Sequence, residues 1–273
     1  MRIEFVSGKG GVGKSAVAAA LARLHARNGE RVLAVAMLPG GGLGAHLGLA
    51  GLEAAPTLAI DGVWAAEVRR IDALQEYIRL HSPVPLLARI AGAVRAFDSL
   101  ATAAPGVREL ITIGKVLHDA ESWDRVIVDA VPTGQLGSYL GAPNIVGGLI
   151  PTGKVAAQAA GLNRDLADSS VVHFVAIAEE LPVTETLEAI RDLEPLPPPL
   201  GSVIINRTLA PLPRVPIEPG ILRDAALLQQ ALAASQESWR ARLPAGPLLP
   251  FLFGAMDPVM ISDMLAVALE EWQ

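Results

Sequence analysis

Gly8-Lys9-Gly10-Gly11-Val12-Gly13-Lys14-Ser15 stands between the apolar run Ile3 to Val6 and a second one, Ala16 to Leu24. Strand, glycine loop and helix thus follow one another in the order that a phosphate site requires. Glycines let successive backbone N–H groups turn into one concavity, and a helix opening at Gly13 adds the positive end of its dipole. Lys14 is placed to reach terminal phosphates and Ser15 to offer a hydroxyl to Mg²⁺. Gly8, Gly10, Gly11, Val12, Gly13, Lys14, Ser15 and Ala16 are therefore the candidate cradle for ATP or ADP. A glycine-rich turn that merely opened a helix would have no need of Lys-Ser at its end.

The chain has 273 residues, half of them apolar and few aromatic, which suits one large α/β domain with a core of Ala, Val, Leu and Ile. A net charge of −6 argues against a nucleic-acid partner, since binding to a phosphate backbone needs clustered Lys and Arg. The absence of cysteine removes disulfides, thiolate zinc sites and thiol-based metalloid sites together. No charged-then-apolar leader precedes the first strand, so a cytoplasmic location is expected. The uncharged stretches Val32 to Leu52 and Ala130 to Gly153 are long, but Pro39 with Gly40 to Gly42 breaks the first, and Pro132, Pro143, Gly147, Gly148 and Pro151 break the second. Neither is expected to insert in a membrane. Residues 256–273 have helical spacing but carry Asp257, Asp263, Glu270 and Glu271 without Lys or Arg, a poor composition for lying on anionic lipid.

Alternating β-rich and helical runs predict a mostly parallel sheet with helices on both faces. Strands are expected at Arg2–Ser7, Arg31–Met37, Val63–Val68, Arg125–Ala130, Val171–Ile177, Ser202–Asn206 and Pro247–Phe251. Helices are expected at Gly13–Asn28, Asp72–His81, Val84–Ala101, Val107–Ala120, Lys154–Asp168, Val183–Leu193, Leu222–Arg242 and Val259–Trp272. Nothing between Val68 and Trp123 reads as a strand, so residues 69–122 are expected to form an α-helical insertion in a single domain. The proline clusters at 195–199 and 211–219 read as stiff connectors.

The strand ending in Asp129 delivers one acid at its carboxyl end, the position from which a carboxylate holds Mg²⁺ or its water; the plainer alternative is a turn residue capping the next helix. At this point a family resemblance becomes specific. GKGGVGKS at 8–15, APGVRELITIGKV at 104–116, DAVPTG at 129–134, EELPVTETLEAI at 179–190 and VIINR at 203–207 fall in an order similar to that of the ArsA family of P-loop ATPases. That family includes arsenite-pump ATPases, the ATPases that target tail-anchored membrane proteins, and bacterial relatives. The resemblance implies a P-loop NTPase fold and a dimer, of like or of related chains, closing over two nucleotides. It implies that Lys9 crosses that interface to the partner's nucleotide, that Asn206 hydrogen-bonds adenine and that Pro250 and Phe251 flank the base. The plainer readings are a solvated loop charge for Lys9 and a strand-end cap for Asn206.

The chain departs from the family at the loop after the second strand. Where the pump and targeting branches carry Asp-Pro-Ala-His, this sequence reads Leu38-Pro39-Gly40-Gly41, and no acid occurs between Glu30 and Glu53. Leucine can neither accept a proton nor position water. Gln135 stands where the targeting branch has His, and a glutamine near the γ-phosphate can orient water; otherwise it is a surface residue at a helix start. Lys9, Lys14, Asp129 and Gln135 are accordingly the candidate catalytic set, and Ser15 with Asp129 the candidate Mg²⁺ ligands. The uncharged run Leu136 to Gly153, with Leu136, Tyr139, Leu140, Ile145, Val146, Leu149 and Ile150, offers either a nucleotide-sensitive surface for a hydrophobic client or a partner subunit, or a face packed on the helical insertion. Two functions fit: a dimeric, slowly hydrolysing ATPase switch, or a catalytically weak nucleotide-binding subunit completed by a related chain. A partition or division-site role would want a basic face, which is missing.

Overall fold

The computed structural model describes residues 2–81, 106–212 and 220–272. Its frame is an eight-stranded sheet in the order β3-β4-β2-β5-β1-β6-β7-β8. The strands are β1 (Arg2–Gly8), β2 (Val32–Ala36), β3 (Thr57–Leu58), β4 (Trp64–Glu67), β5 (Arg125–Asp129), β6 (Ser170–Ile177), β7 (Leu200–Thr208) and β8 (Leu248–Pro250). All pairs are parallel except the short edge pair β3–β4. Two-sided burial explains why the inner strands read as continuous apolar runs.

Side-chain alternation divides the core into two layers. Val32, Ala34 and Ala36 of β2, Val6 of β1 and Ile127 of β5 face the layer formed by α1 (Lys14–Arg27), α2 (Leu43–His46) and α9 (Pro258–Glu270). Leu33 and Val35 of β2, Ile3 and Phe5 of β1, and Val126 and Val128 of β5 face the other layer, built from α4 (Val107–Ala120), α5 (Thr133–Leu149), α6 (Lys154–Ser169) and α7 (Glu180–Leu193). The α3 helix (Arg70–His81) lies beside α4, and α8 (Ile221–Arg240) runs along the outside near β7. Between β4 and β5 the described residues form only α3 and α4. The helix expected at Val84–Ala101 falls outside the described residues.

One large element departs from the sequence expectation. No helix is expected over Thr133–Leu149, yet these residues form the helix α5, with Pro143 in its interior. Gly141 lies against Leu196 and Gly147 against Ala159, at distances where an added Cβ would make ordinary van der Waals contact. Leu136, Leu140 and Val146 are buried, and the helix packs on α4, α6 and α7. Packing on neighbours supplies what local propensity denies. Of the apolar run, Ile145, Leu149 and Ile150 remain exposed.

On the α1 layer, buried Arg23 joins three elements. It donates to Asp61 from Nε at 2.8 Å, to the Val259 carbonyl and Ser262 hydroxyl from one terminal nitrogen at 2.7 and 2.8 Å, and to Asp263 from the other at 2.8 Å. Arg27 joins the same two acids. This network fixes α9 against the helix that begins at Lys14.

Candidate phosphate-binding site

The loop between β1 and α1 takes its shape from two glycines in left-handed backbone, Gly11 (φ 86°) and Gly13 (φ 97°), a conformation costly for any residue with a Cβ. At Gly13 a side chain is also excluded by space, because a Cβ would stand 2.4 Å from the Asn206 amide nitrogen. Asn206 is buried at the end of β7, and its amide donates to the Val12 carbonyl at 2.8 Å while its oxygen accepts from the Arg207 N–H at 2.9 Å. In this conformation the side chain is a bracket beneath the loop rather than a free strand-end cap. Arg207, itself in left-handed backbone (φ 57°), donates to the Gly11 carbonyl at 3.1 Å.

Parallel register decides where the acid goes. Asp129 stands opposite Val6 of β1 and Ala36 of β2, so the carboxyl end of β5 is delivered between the two strands that flank it. Its carboxylate accepts from the Ser15 hydroxyl at 2.6 Å. It does not cap α5, whose first turn follows Pro132 with no side-chain cap. Burial pushes the Asp129 carboxyl above its ordinary value, opposed by the Ser15 hydrogen bond and the charge of Lys14. Burial likewise lowers Lys14, opposed by Asp129. The Lys14 ammonium is folded back to the Lys9 carbonyl at 3.3 Å. Two opposite charges are thus held in a poorly solvated place, where a hydroxyl and a carboxylate converge. Such an oxygen pair suits Mg²⁺, which takes one or two protein ligands and completes its shell with phosphate and water.

The loop after β2 lies over this pair. A Cβ on Gly41 would come 3.8 Å from the Asp129 carboxylate, and one on Gly42 would come 3.6 Å from the Ser15 Cβ. Gly41 and Gly42 of this loop thus reach the candidate metal ligands with no side chain to offer them, while Leu38 is 44% exposed. Lys9 is not a free loop charge, for its ammonium meets the Glu185 carboxylate of α7 at 2.6 Å. Gln135 lies exposed in the first turn of α5. Pro250 ends β8 opposite Thr208; the Phe251 N–H donates to the Thr208 carbonyl at 2.9 Å, and its ring, 41% exposed, lies 4.7 Å from that of Phe253.

The sequence model of the family described as anion-transporting ATPase, ArsA, matches residues 1–166, the span that contains the loop, β5 and Asp129. The chain belongs to the ArsA family of ATPases. Among its relatives, ATPase BagA of Mycobacterium tuberculosis is 33% identical over 229 residues, covering 77% of this chain and 66% of the relative. ATPase GET3 of Phaeosphaeria nodorum is 24% identical over 260 residues, covering 80% of each chain. An ASNA1 homolog from Paramecium tetraurelia is 26% identical over 153 residues, 52% of this chain and 44% of the relative. The chain thus spans just under two thirds of the length of its mycobacterial relative. No helix among the described residues is long and apolar enough to cross a membrane.

Three site features escaped the sequence reading: the Lys9–Glu185 pair, the Arg207 contact to the loop, and the glycines above Ser15 and Asp129. Glu185 lies inside a quoted family segment, but no spacing rule links it to a lysine 176 positions away. A second polar cluster lies at the opposite, amino-terminal end of the strands, where Glu4, His25, Glu30, Arg125 and His173 line a cavity of about 380 Å³. Arg125 pairs there with both Glu4 and Glu30, fastening β1 to β5 and to the residues that follow α1, while the buried His173 ring nitrogens make no hydrogen bond among the described residues.

Proposed function

We propose that this ArsA-family chain is a Mg²⁺-dependent ATP-binding switch, dimeric when nucleotide is bound, that turns ATP over slowly and passes the change of state to a partner or hydrophobic client. The observation that carries the reading is the convergence of Ser15 and Asp129 beside Lys14 on a loop held open by Gly11 and Gly13. Backbone N–H groups of Gly10 to Ala16 bind the phosphates, Lys14 neutralises their charge, and Ser15 with Asp129 would hold the metal. When bound, Mg²⁺ supplies charge neutralisation across the terminal phosphates. Lys9 reaches the partner's nucleotide, and Pro250 and Phe251 flank the base, with Asn206 joining it once released from Val12. The whole chain acts as one ATPase domain, in which α3 and α4 belong to an insertion whose residues 82–105 lie outside the described ones, and Gln135 orients water. A cytoplasmic location fits this reading.

One observation favours a second reading, a nucleotide-binding subunit of a heterodimer with weak catalysis of its own. The loop facing Ser15 and Asp129 is Gly40-Gly41-Gly42, so no carboxylate can come from it. Steady-state phosphate release separates the two. The first reading predicts slow turnover by the purified chain that Lys14→Ala abolishes. Release no faster in the native chain than in Lys14→Ala, with nucleotide still bound, would select the second.

A further inference from the structure

The glycine loop above Ser15 and Asp129 has no side chains with which to fix itself. Three successive glycines carry a large conformational entropy, roughly 1 kcal/mol each relative to alanine, so the position of this loop must be imposed by its neighbour in the chain. That neighbour is α2, a single turn. Leu43 and Leu47 sink it into the core, which sets its depth. Its orientation is set by His46. The His46 backbone N–H donates to the Gly42 carbonyl at 3.2 Å, closing the turn onto the glycine loop. Its ring donates from Nδ1 to the Pro258 carbonyl at 2.8 Å, and its own carbonyl accepts from the Ser262 hydroxyl at 2.7 Å. Both partners belong to the first turns of α9.

The far end of this attachment is equally well fixed. Asp257 caps α9 by accepting from the Met260 N–H at 2.8 Å. Arg23, on the helix that carries Lys14 and Ser15, holds Val259, Ser262 and Asp263. Immediately before α9 runs the segment with Pro250 and Phe251. A continuous path therefore leads from Phe251 through the start of α9 to His46, then to Gly42 and across to Ser15. Burial holds the His46 ring below its ordinary pKa, which keeps it neutral near pH 7, with Nδ1 as the proton-bearing nitrogen facing Pro258.

We infer that His46 is a positioning residue, fastening the glycine loop over the metal end of the nucleotide site and tying that end to the base-side segment through α9. It touches no phosphate or metal itself. The inference rests on the nucleotide-binding reading above and adds to it a residue outside the phosphate loop.

The test compares His46→Phe, which keeps a ring without a donor, with His46→Asn, whose amide can replace Nδ1–H. A fluorescent ATP analogue is titrated into each chain with Mg²⁺ and with chelator, and a thermal melt accompanies each titration. The expected result is that His46→Phe binds as the native chain does in chelator but loses most of a five- to tenfold tightening by Mg²⁺. His46→Asn retains that tightening within twofold. Native-like Mg²⁺ tightening in His46→Phe overturns the inference, as does an equal loss with and without metal, or an Asn variant that behaves like the Phe variant. A native chain whose affinity ignores Mg²⁺ overturns it too. A native chain that binds no nucleotide under either condition removes the nucleotide reading itself, and is thereby distinguished from failure of the His46 link alone.

Discussion

The ammonium of Lys9, on the phosphate loop, and the carboxylate of Glu185, in the second turn of α7, meet at 2.6 Å across 176 positions of sequence, each about one third exposed. A pair so placed contributes up to about 1 kcal/mol. It also occupies the one lysine that the family resemblance directs toward a partner chain. Closure over two nucleotides would have to break it.

Glu185→Gln is therefore expected to favour the closed dimer. In sedimentation velocity with ATP and Mg²⁺, half-association should occur at a chain concentration lower by about twofold to fivefold, the range that an exposed pair can supply. Lys9→Ala should show no nucleotide-dependent association. A Glu185→Gln chain that associates as the native one does would mean that the pair does not oppose closure, and nucleotide-dependent association of Lys9→Ala would mean that Lys9 has no role outside its own protomer.

Asp129 should trade stability for function. Its carboxyl is raised by burial above the 3.8 of a free aspartate. A carboxyl of raised pKa carries no penalty below its unfolded value, and its ionisation costs stability as pH climbs through the window above it. Asp129→Asn removes the buried charge and keeps an acceptor for Ser15. At pH 7 its melting temperature should equal or exceed that of the native chain without ligand, by up to about 1 kcal/mol of stability. The Mg²⁺-dependent rise in melting temperature with ATP should vanish. A loss of some 3 kcal/mol in the unliganded chain would show instead that the carboxylate holds the fold together.

Glu4 should govern the acid limb of the stability curve. Burial alone would raise its carboxyl, but His173 and His25 outweigh this and hold it well below the ordinary 4.5. A depressed carboxyl contributes stability in full above its unfolded value and loses it as pH falls toward the folded one. Native unfolding free energy should consequently drop with falling pH below about 4.5, and Glu4→Gln should flatten that limb while lowering stability at pH 7 by about 1 kcal/mol, since Arg125 keeps its pair with Glu30. Parallel acid limbs in the two chains would contradict this.

Leu38→Asp tests what the loop after β2 lacks. A positioned acid–base group is worth roughly a hundredfold or more, so even imperfect placement should raise phosphate release about tenfold. Unchanged release, with ATP still bound, would place the hydrolytic limit elsewhere, in Gln135 or in a partner chain.

Much of this arrangement is legible in the sequence because it is local. The order of strand, Gly8–Ser15 loop and helix specifies the phosphate site, and the apolar runs around Val35, Val128 and Phe174 specify inner parallel strands. Helix α5 is hidden because Pro143 and its glycines are breakers by propensity, and only the burial of Leu136, Leu140 and Val146 against neighbouring helices shows what offsets them. The site's long-range contacts are hidden for a different reason. Lys9–Glu185, Asn206–Val12 and His46–Pro258 each join residues more than 170 positions apart, and no periodicity encodes such pairs. Asp129 can be picked out because a strand end is a local feature, whereas its 2.6 Å contact with Ser15 depends on the register of β5 against β1.

Isothermal titration of ATP into the native chain with Mg²⁺, set beside the same titration of Lys14→Ala, bears most directly on the account. It predicts saturable binding with one nucleotide per chain, weakened by chelator and lost in the variant. No heat of binding in the native chain, or equal binding by Lys14→Ala, would contradict it.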